Sequence, residues 1–202
     1  PQGRPYAGRS NELFRGFADD WDVAWMDPGY SETTLTGSAA FKVMSGIDRP
    51  AIGAVGAGEA TGVRVGRVLD SADWPAADRI IAGGDSTVQA TTLEGAALEE
   101  LRLATDSEIG ELYVDGGGRV VFRNRNAILQ DTRSGTSQAT FGDQGTELPY
   151  TALTVSSDDA TFYNQVRVTR VGGAEQLVED TTSQVLFYPR TYKPASEPIL
   201  ET

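Results

Sequence analysis

Along residues 20–25 the chain alternates, Trp21, Val23 and Trp25 interleaving with Asp20, Asp22 and Ala24. A period of two belongs to a strand with one buried face, so this segment predicts tryptophans in a core and carboxylates in water. Residues 12–18 precede it, and 33–37 follow the Asp27-Pro28-Gly29 turn, a spacing that suggests three strands of a barrel or sandwich. Residues 38–45 carry Ala39, Ala40, Phe41, Val43 and Met44 and predict a short helix ended by Gly46.

The Gly- and Ala-rich stretch 50–62 predicts a flexible connection. A helix follows from an N-cap at Thr61, because Val65, Val68, Leu69 and Ala72 recur at i, i+3, i+4 and i+7. It must end before Trp74-Pro75, since proline disfavours helical geometry in the residue before it. Thr91 and Glu94 have capping-box spacing and predict a second helix with Ala97, Leu101 and Ala104 on one face. Leu112-Tyr113-Val114 and Val120-Val121-Phe122, joined by Asp115-Gly116-Gly117-Gly118, predict a β-hairpin for these helices to cover. Beyond Asn126 the pattern turns β again: Gln165, Arg167 and Thr169 alternate with Val166 and Val168, and 183–188 reads as a strand after a turn at Gly172-Gly173. The fold class expected is mainly β with an α/β unit, in β-α/β-β order.

Composition removes whole classes of chemistry. The 202 residues contain no cysteine and no histidine, which excludes disulfides, Cys/His zinc sites, Cys-His dyads and Ser-His-Asp triads. The net charge of −12 is spread over both halves of the chain, so a diffuse negative surface repels phosphate and disfavours nucleic acid and anionic membranes alike. The two lysines, Lys42 and Lys193, do not follow glycine, so the phosphate loop G-x-x-x-x-G-K-[ST] is missing. No apolar run approaches the roughly 20 residues of a membrane span. The start at Pro1, entering a strand-like run almost at once, suggests a segment of a longer polypeptide.

Several clusters admit a functional interpretation. Gly56-x-Gly58 begins like a dinucleotide fingerprint, but Thr61 stands where the third glycine belongs, and a connection is the simpler account. Asp20 and Asp22 share a strand face, with Asp19 opposite; the pair could hold Ca²⁺ or act as the acid and base of a glycosidase, yet strand alternation already explains them. Asp143 and Glu147, around Gln144-Gly145, could form a metal loop but fit a polar hairpin turn. The nucleophile elbow G-x-S-x-G is absent, and no serine lies beside either lysine. Trp21, Trp25, Trp74 and the tyrosines could form a sugar-stacking platform, although tryptophan alternating with aspartate predicts core. No catalytic, cofactor-binding or metal-binding residue is therefore assigned, no cofactor is expected, and the chain is not expected to be an enzyme.

Several segments, in chain order, resemble the minor tail proteins that form the tail-tip or baseplate hub of long-tailed phages. Leu13-Phe14-Arg15-Gly16-Phe17 with Asp20-Trp21 resembles that family's opening strand pair, and Thr33-Thr34-Leu35-Thr36 leading to Ala40-Phe41-Lys42-Val43-Met44 resembles its strand running into a short helix. Arg67-Val68-Leu69-Asp70-Ser71-Ala72-Asp73-Trp74-Pro75 is similar to its R-I-x-x-I-L-D-x-A-G-W-P. Ser107 to Asp115, Gly118 to Arg125, Tyr163 to Arg170 and Ser183 to Arg190 resemble four further segments. Asp73, Ile109 and Pro189 stand where glycine is commoner.

The resemblance implies barrel-like β domains flanking a small α/β domain: 1–45 as part of a hub barrel with a short helix, 46–135 as the α/β unit with two helices and a hairpin, and 136–202 as a second hub barrel. It also implies a structural protein of the virion tail tip, a homotrimeric ring around the tail channel. Its partners would be distal tail, tape-measure and receptor-binding or fibre proteins, with genome DNA passing through an acidic lumen without specific binding. The alternative from the residues alone is a carbohydrate-binding module for host recognition; behind it lies a hydrolase using two carboxylates.

Overall fold

The computed structural model describes residues 13–27, 29–156, 158–194 and 197–201. They form two compact units, 13–125 together with Glu201, and Asn126–Leu200. The fold is mixed α/β, with its strands in five small sheets and no closed barrel among the described residues.

In the first unit, β1 (Phe17–Asp27) and β2 (Tyr30–Ser38) form one long antiparallel hairpin. Two strands thus stand where three were expected. Glu12 lies outside the described residues, and 13–16 is not strand. A bulge between Ala18 and Asp20 shifts the alternation, leaving Phe17 on the Asp20/Asp22 face and Trp21, Val23 and Trp25 on the other. The helix α1 (Ala40–Gly46) follows and buries Ala40 and Met44, close to the predicted span.

The expected connection at 50–62 is instead β3 (Asp48–Val55), a turn through Gly56 and Gly58 at φ 79° and 73°, and β4 (Glu59–Ala60). Next comes α2 (Thr61–Ser71), which buries Val65, Val68 and Leu69 as the periodicity predicts. The helix stops before Trp74-Pro75, with Asp73 left-handed at φ 52° in the turn. Ala60 rather than Thr61 occupies the N-cap, and the Thr61 hydroxyl is used elsewhere.

After a 3-10 turn at Ala76–Asp78 come β5 (Arg79–Ile81), β6 (Thr87–Val88) and β7 (Thr91–Ala96). The proposed capping box at Thr91 and Glu94 is therefore a strand, paired with β3. Its two threonines are β-branched, and Gly95, at φ 70°, turns the chain just before the helix. The helix α3 begins only at Ala97 and runs as Ala97–Glu108, with Ala97, Leu101 and Ala104 buried as expected. The hairpin of β8 (Glu111–Val114) and β9 (Val120–Arg123) matches its prediction, with Gly118 taking the positive φ, 78°. The parallel strand β5 pairs with β9 to complete the sheet order β5-β9-β8. Helices α1, α2 and α3 pack with Leu93, Val120, Phe122 and Trp74 into one core.

The second unit opens with short helices α4 (Arg125–Leu129, its first residue in the first unit) and α5 (Thr132–Gly135). Its sheet is β10 (Gln165–Thr169), flanked by antiparallel β11 (Glu175–Glu179) and parallel β12 (Thr191–Tyr192). The predicted strand at 183–188 is instead a helix, α6 (Thr181–Phe187). The Asp180 carboxylate accepts from the Ser183 amide at 3.0 Å and caps it, a local bond that outweighs the strand preference of Val185 and Phe187. No described helix is long and apolar enough to cross a membrane.

Candidate functional site

Three polar devices in the first unit hold its surface in place. Arg64, 1% exposed, reaches back from α2 and donates to the carbonyls of Val55 and Gly56 at 3.3 Å and of Gln89 at 2.7 Å, and to Thr91 Oγ1 and Glu59. Glu59 also accepts from Arg67 Nε at 3.1 Å. Burial pushes the Glu59 carboxyl up, but the hydrogen bonds and charges of Arg67 and Arg64 outweigh it, so its pKa lies below the usual range. The glycine-rich segment is ordered because this guanidinium takes its carbonyls.

The second device is Glu108, fully buried at the end of α3. Its carboxylate accepts from Thr61 Oγ1 at 2.6 Å and from the amides of Asp85 and Ser86 at 3.0 and 2.9 Å, while the Thr61 amide donates to the Ser86 carbonyl at 3.0 Å. The loop before β6 is thereby clamped over the start of α2. A Cβ on Gly62 would lie 1.9 Å from the Ala82 carbonyl oxygen, so no space remains there for a pyrophosphate. Gly56-x-Gly58 is a strand-to-strand turn.

The third device anchors the base of the long hairpin. Phe17 meets Trp74 edge-on at 6.2 Å, Arg15 pairs with Asp78 at 3.0 Å, and Asp19 pairs with Lys42 at 2.9 Å while accepting from Ser38 Oγ at 3.1 Å. The bond from Lys42 holds the Asp19 carboxyl below its usual range. Ser38 and Lys42 thus share one carboxylate and do not form a nucleophile–base pair. Asp20 accepts from the amide of Trp21 at 2.8 Å, and no group of three metal-ligating side chains occurs among the described residues. Asp143 and Glu147 both bond Gln144 in a small turn closed by the Phe141–Leu148 bridge.

Beyond that base the hairpin is open on both faces. Trp21 is 64% exposed, Trp25 82%, and Val23 and Leu35 about half, so the expected burial of this stripe is not met among the described residues. Trp74, by contrast, is buried, its Nε1 donating to the Asp78 carbonyl at 3.1 Å. The three tryptophans therefore form no common platform. The register places Leu35 opposite Trp21, Thr33 opposite Val23 and Ser31 opposite Trp25, a face without charge; Asp20, Asp22 and Glu32 lie on the other. An open groove of about 500 Å³ at the hairpin base is lined by Phe14, Arg15, Phe17 and Leu35. Its one charged side chain, Arg15, is already bound to Asp78. The alternation at 20–25 signalled the apolar stripe, but nothing local to it tells whether the cover comes from the same chain.

Comparison with protein-family models finds no match, and comparison with curated proteins finds none either. Among solved structures, the chain is similar to the tail protein of Neisseria meningitidis MC58, with a TM-score of 0.54 and 13% identity over 92% of this chain and 56% of that one. A 43 kDa tail protein of prophage MuSo2 from Shewanella oneidensis aligns at 12% identity and a TM-score of 0.48, over 90% and 51% of the two chains. The chain thus shares its fold with a tail protein and spans about half the length of these solved structures.

Proposed function

We propose that the chain is a structural component of a phage tail, located at the tail tip as part of the baseplate hub. Three copies would ring the tail channel and assemble with distal tail, tape-measure and receptor-binding or fibre proteins. The observation that carries this reading is the fold shared with the Neisseria tail protein. It is supported by the long hairpin, which is rigidly anchored at its base yet leaves two tryptophans open, as a subunit does before its neighbours cover it. In this reading 1–45 and 136–202 belong to barrel-like hub domains on either side of an α/β domain at 46–135. The acidic composition suits a lumen through which DNA passes without sticking.

A cryo-EM map of the tail tip tests it: three copies about the tail axis are expected, and six-fold or single-copy density would overturn the trimer. The reading also assigns no catalysis. Converting Asp20 and Asp22 to asparagine should leave tails assembled and infectious, whereas intact particles unable to cross the envelope would point to a carboxylate hydrolase.

Exposure of Trp21 and Trp25 favours one second reading, a carbohydrate-binding surface. Sugar sites add polar groups beside the stacking ring to fix the hydroxyls, and here the carboxylates lie on the opposite face. A glycan array showing selective binding lost in Trp25→Ala would establish it.

A further inference from the structure

The chain carries a second open apolar face, in its other unit. On the sheet β11-β10-β12, Val166 pairs with Val178 and Tyr192, and Val168 with Gln176, so these side chains share one side. Val178 is 68% exposed and Tyr192 44%, and Tyr163 packs against Tyr192 with ring centroids 5.3 Å apart and ring planes tilted by 56°. The opposite side holds Arg167, Glu175 and Glu179, with Arg167 within 3.8 Å of Glu175. Each sheet therefore has a charged face and an uncharged apolar face, and both uncharged faces are open.

We propose that these two faces are the two halves of one contact between copies: the Trp21–Val23–Trp25–Leu35 face of one chain packs on the Val166–Val178–Tyr192 face of the next. Lack of charge on both sides is the complementarity such a contact requires, since a charge on either would be buried against apolar surface without a partner. The areas also suit. With aromatic side chains offering about 150–250 Å² each, the first face presents roughly 450 Å² and the second, with Tyr163, roughly 350 Å² of apolar surface at the exposures observed. Apolar atoms make up about 60% of an interface, so the contact totals roughly 1,300 Å², within the range of about 1,200–2,000 Å² for stable complexes. Two sheets meeting face to face is an ordinary core geometry.

The contact joins unlike surfaces, which decides its symmetry. A two-fold pairing of hairpins would cover one face and leave the other open. A head-to-tail contact covers both with a single repeated interface and closes into a ring when the rotation permits. The inference rests on the ring reading above for closure, but the pairing of faces is a separate claim.

The absence of cysteine from the chain makes the test clean. Thr33 and Gln176 are exposed, polar and on the two faces in question. A chain with Thr33→Cys is mixed with one carrying Gln176→Cys under mild oxidation, beside each variant alone, while light scattering counts copies of the unaltered protein. A disulfide dimer at least five-fold more abundant in the mixture supports the pairing, because a disulfide forms only with Cβ atoms about 4 Å apart. Linking by Thr33→Cys alone would mean two-fold hairpin pairing and overturn it. No linking also overturns it, and leaves the hub reading standing if three-copy particles still form. Selective linking in particles of another copy number would uphold the pairing and remove the trimer. As a second arm, Trp25→Asp, at a site too exposed to disturb folding, should lower the copy number to one with unchanged circular dichroism; retained assembly would overturn the proposal.

Discussion

Replacing Ile109 by glycine should stabilise the first unit. Ile109 follows α3 at φ 57° and ψ 39°, the left-handed region, with the Gly110 amide donating to the Thr105 carbonyl at 3.0 Å and the Ile109 amide to the Asp106 carbonyl at 3.1 Å. This is the helix-ending geometry that glycine ordinarily supplies. For an L residue it costs about 1–2 kcal/mol, and a β-branched side chain belongs at the upper end. Against that gain stand about 0.7 kcal/mol for the greater freedom of glycine in the unfolded chain and about 0.5 kcal/mol for the lost contacts of a side chain that is 74% exposed. The net gain is about 0.8 kcal/mol, or about 2–3 °C in Tm for a chain of this size. Differential scanning calorimetry of Ile109→Gly beside Ile109→Ala measures it. Alanine removes the β-branch but keeps the Cβ in the strained region and loses the contacts, so it should fall below the glycine variant. If glycine lowers Tm while alanine leaves it unchanged, the strain is not stored at this position and the argument fails.

Replacing Glu108 by leucine removes the acceptor of the Thr61 hydroxyl and of the Ser86 amide. At about 1–3 kcal/mol for each orphaned group, urea denaturation should show a loss of at least about 2 kcal/mol, with Glu108→Gln losing less. Gly118→Val should lower Tm more than Gly53→Val, because Gly118 has φ 78° and a Cβ there would lie 2.9 Å from the Arg15 carbonyl oxygen, whereas Gly53 has open space; equal losses would contradict the turn geometry. The Glu59 carboxyl is depressed in the folded state, so its contribution is complete above the ordinary glutamate range and is lost as pH falls through the lower folded value. Acid unfolding followed by circular dichroism should therefore steepen below about pH 4.3, and Glu59→Gln should flatten that part of the curve.

The sequence by itself determined those elements whose cause is local. The α2 stripe of Val65, Val68 and Leu69, the stop before Trp74-Pro75 and the glycine-turned hairpin all follow from side-chain period, proline sterics and the freedom of glycine, which act within a few residues. Tertiary structure decided the rest. The segment at 50–62 has a linker's composition, yet it is strand and turn because Arg64 and the pairing with β7 satisfy its backbone. Thr91–Ala96 has a helix-start spacing, yet it is strand because β3 lies beside it and Ala97 can open the helix instead. The Trp21–Trp25 stripe has a core pattern and is open, since alternation records that a face is to be covered but not by what. In each case the deciding partner lies beyond the segment itself, where no local pattern can encode it.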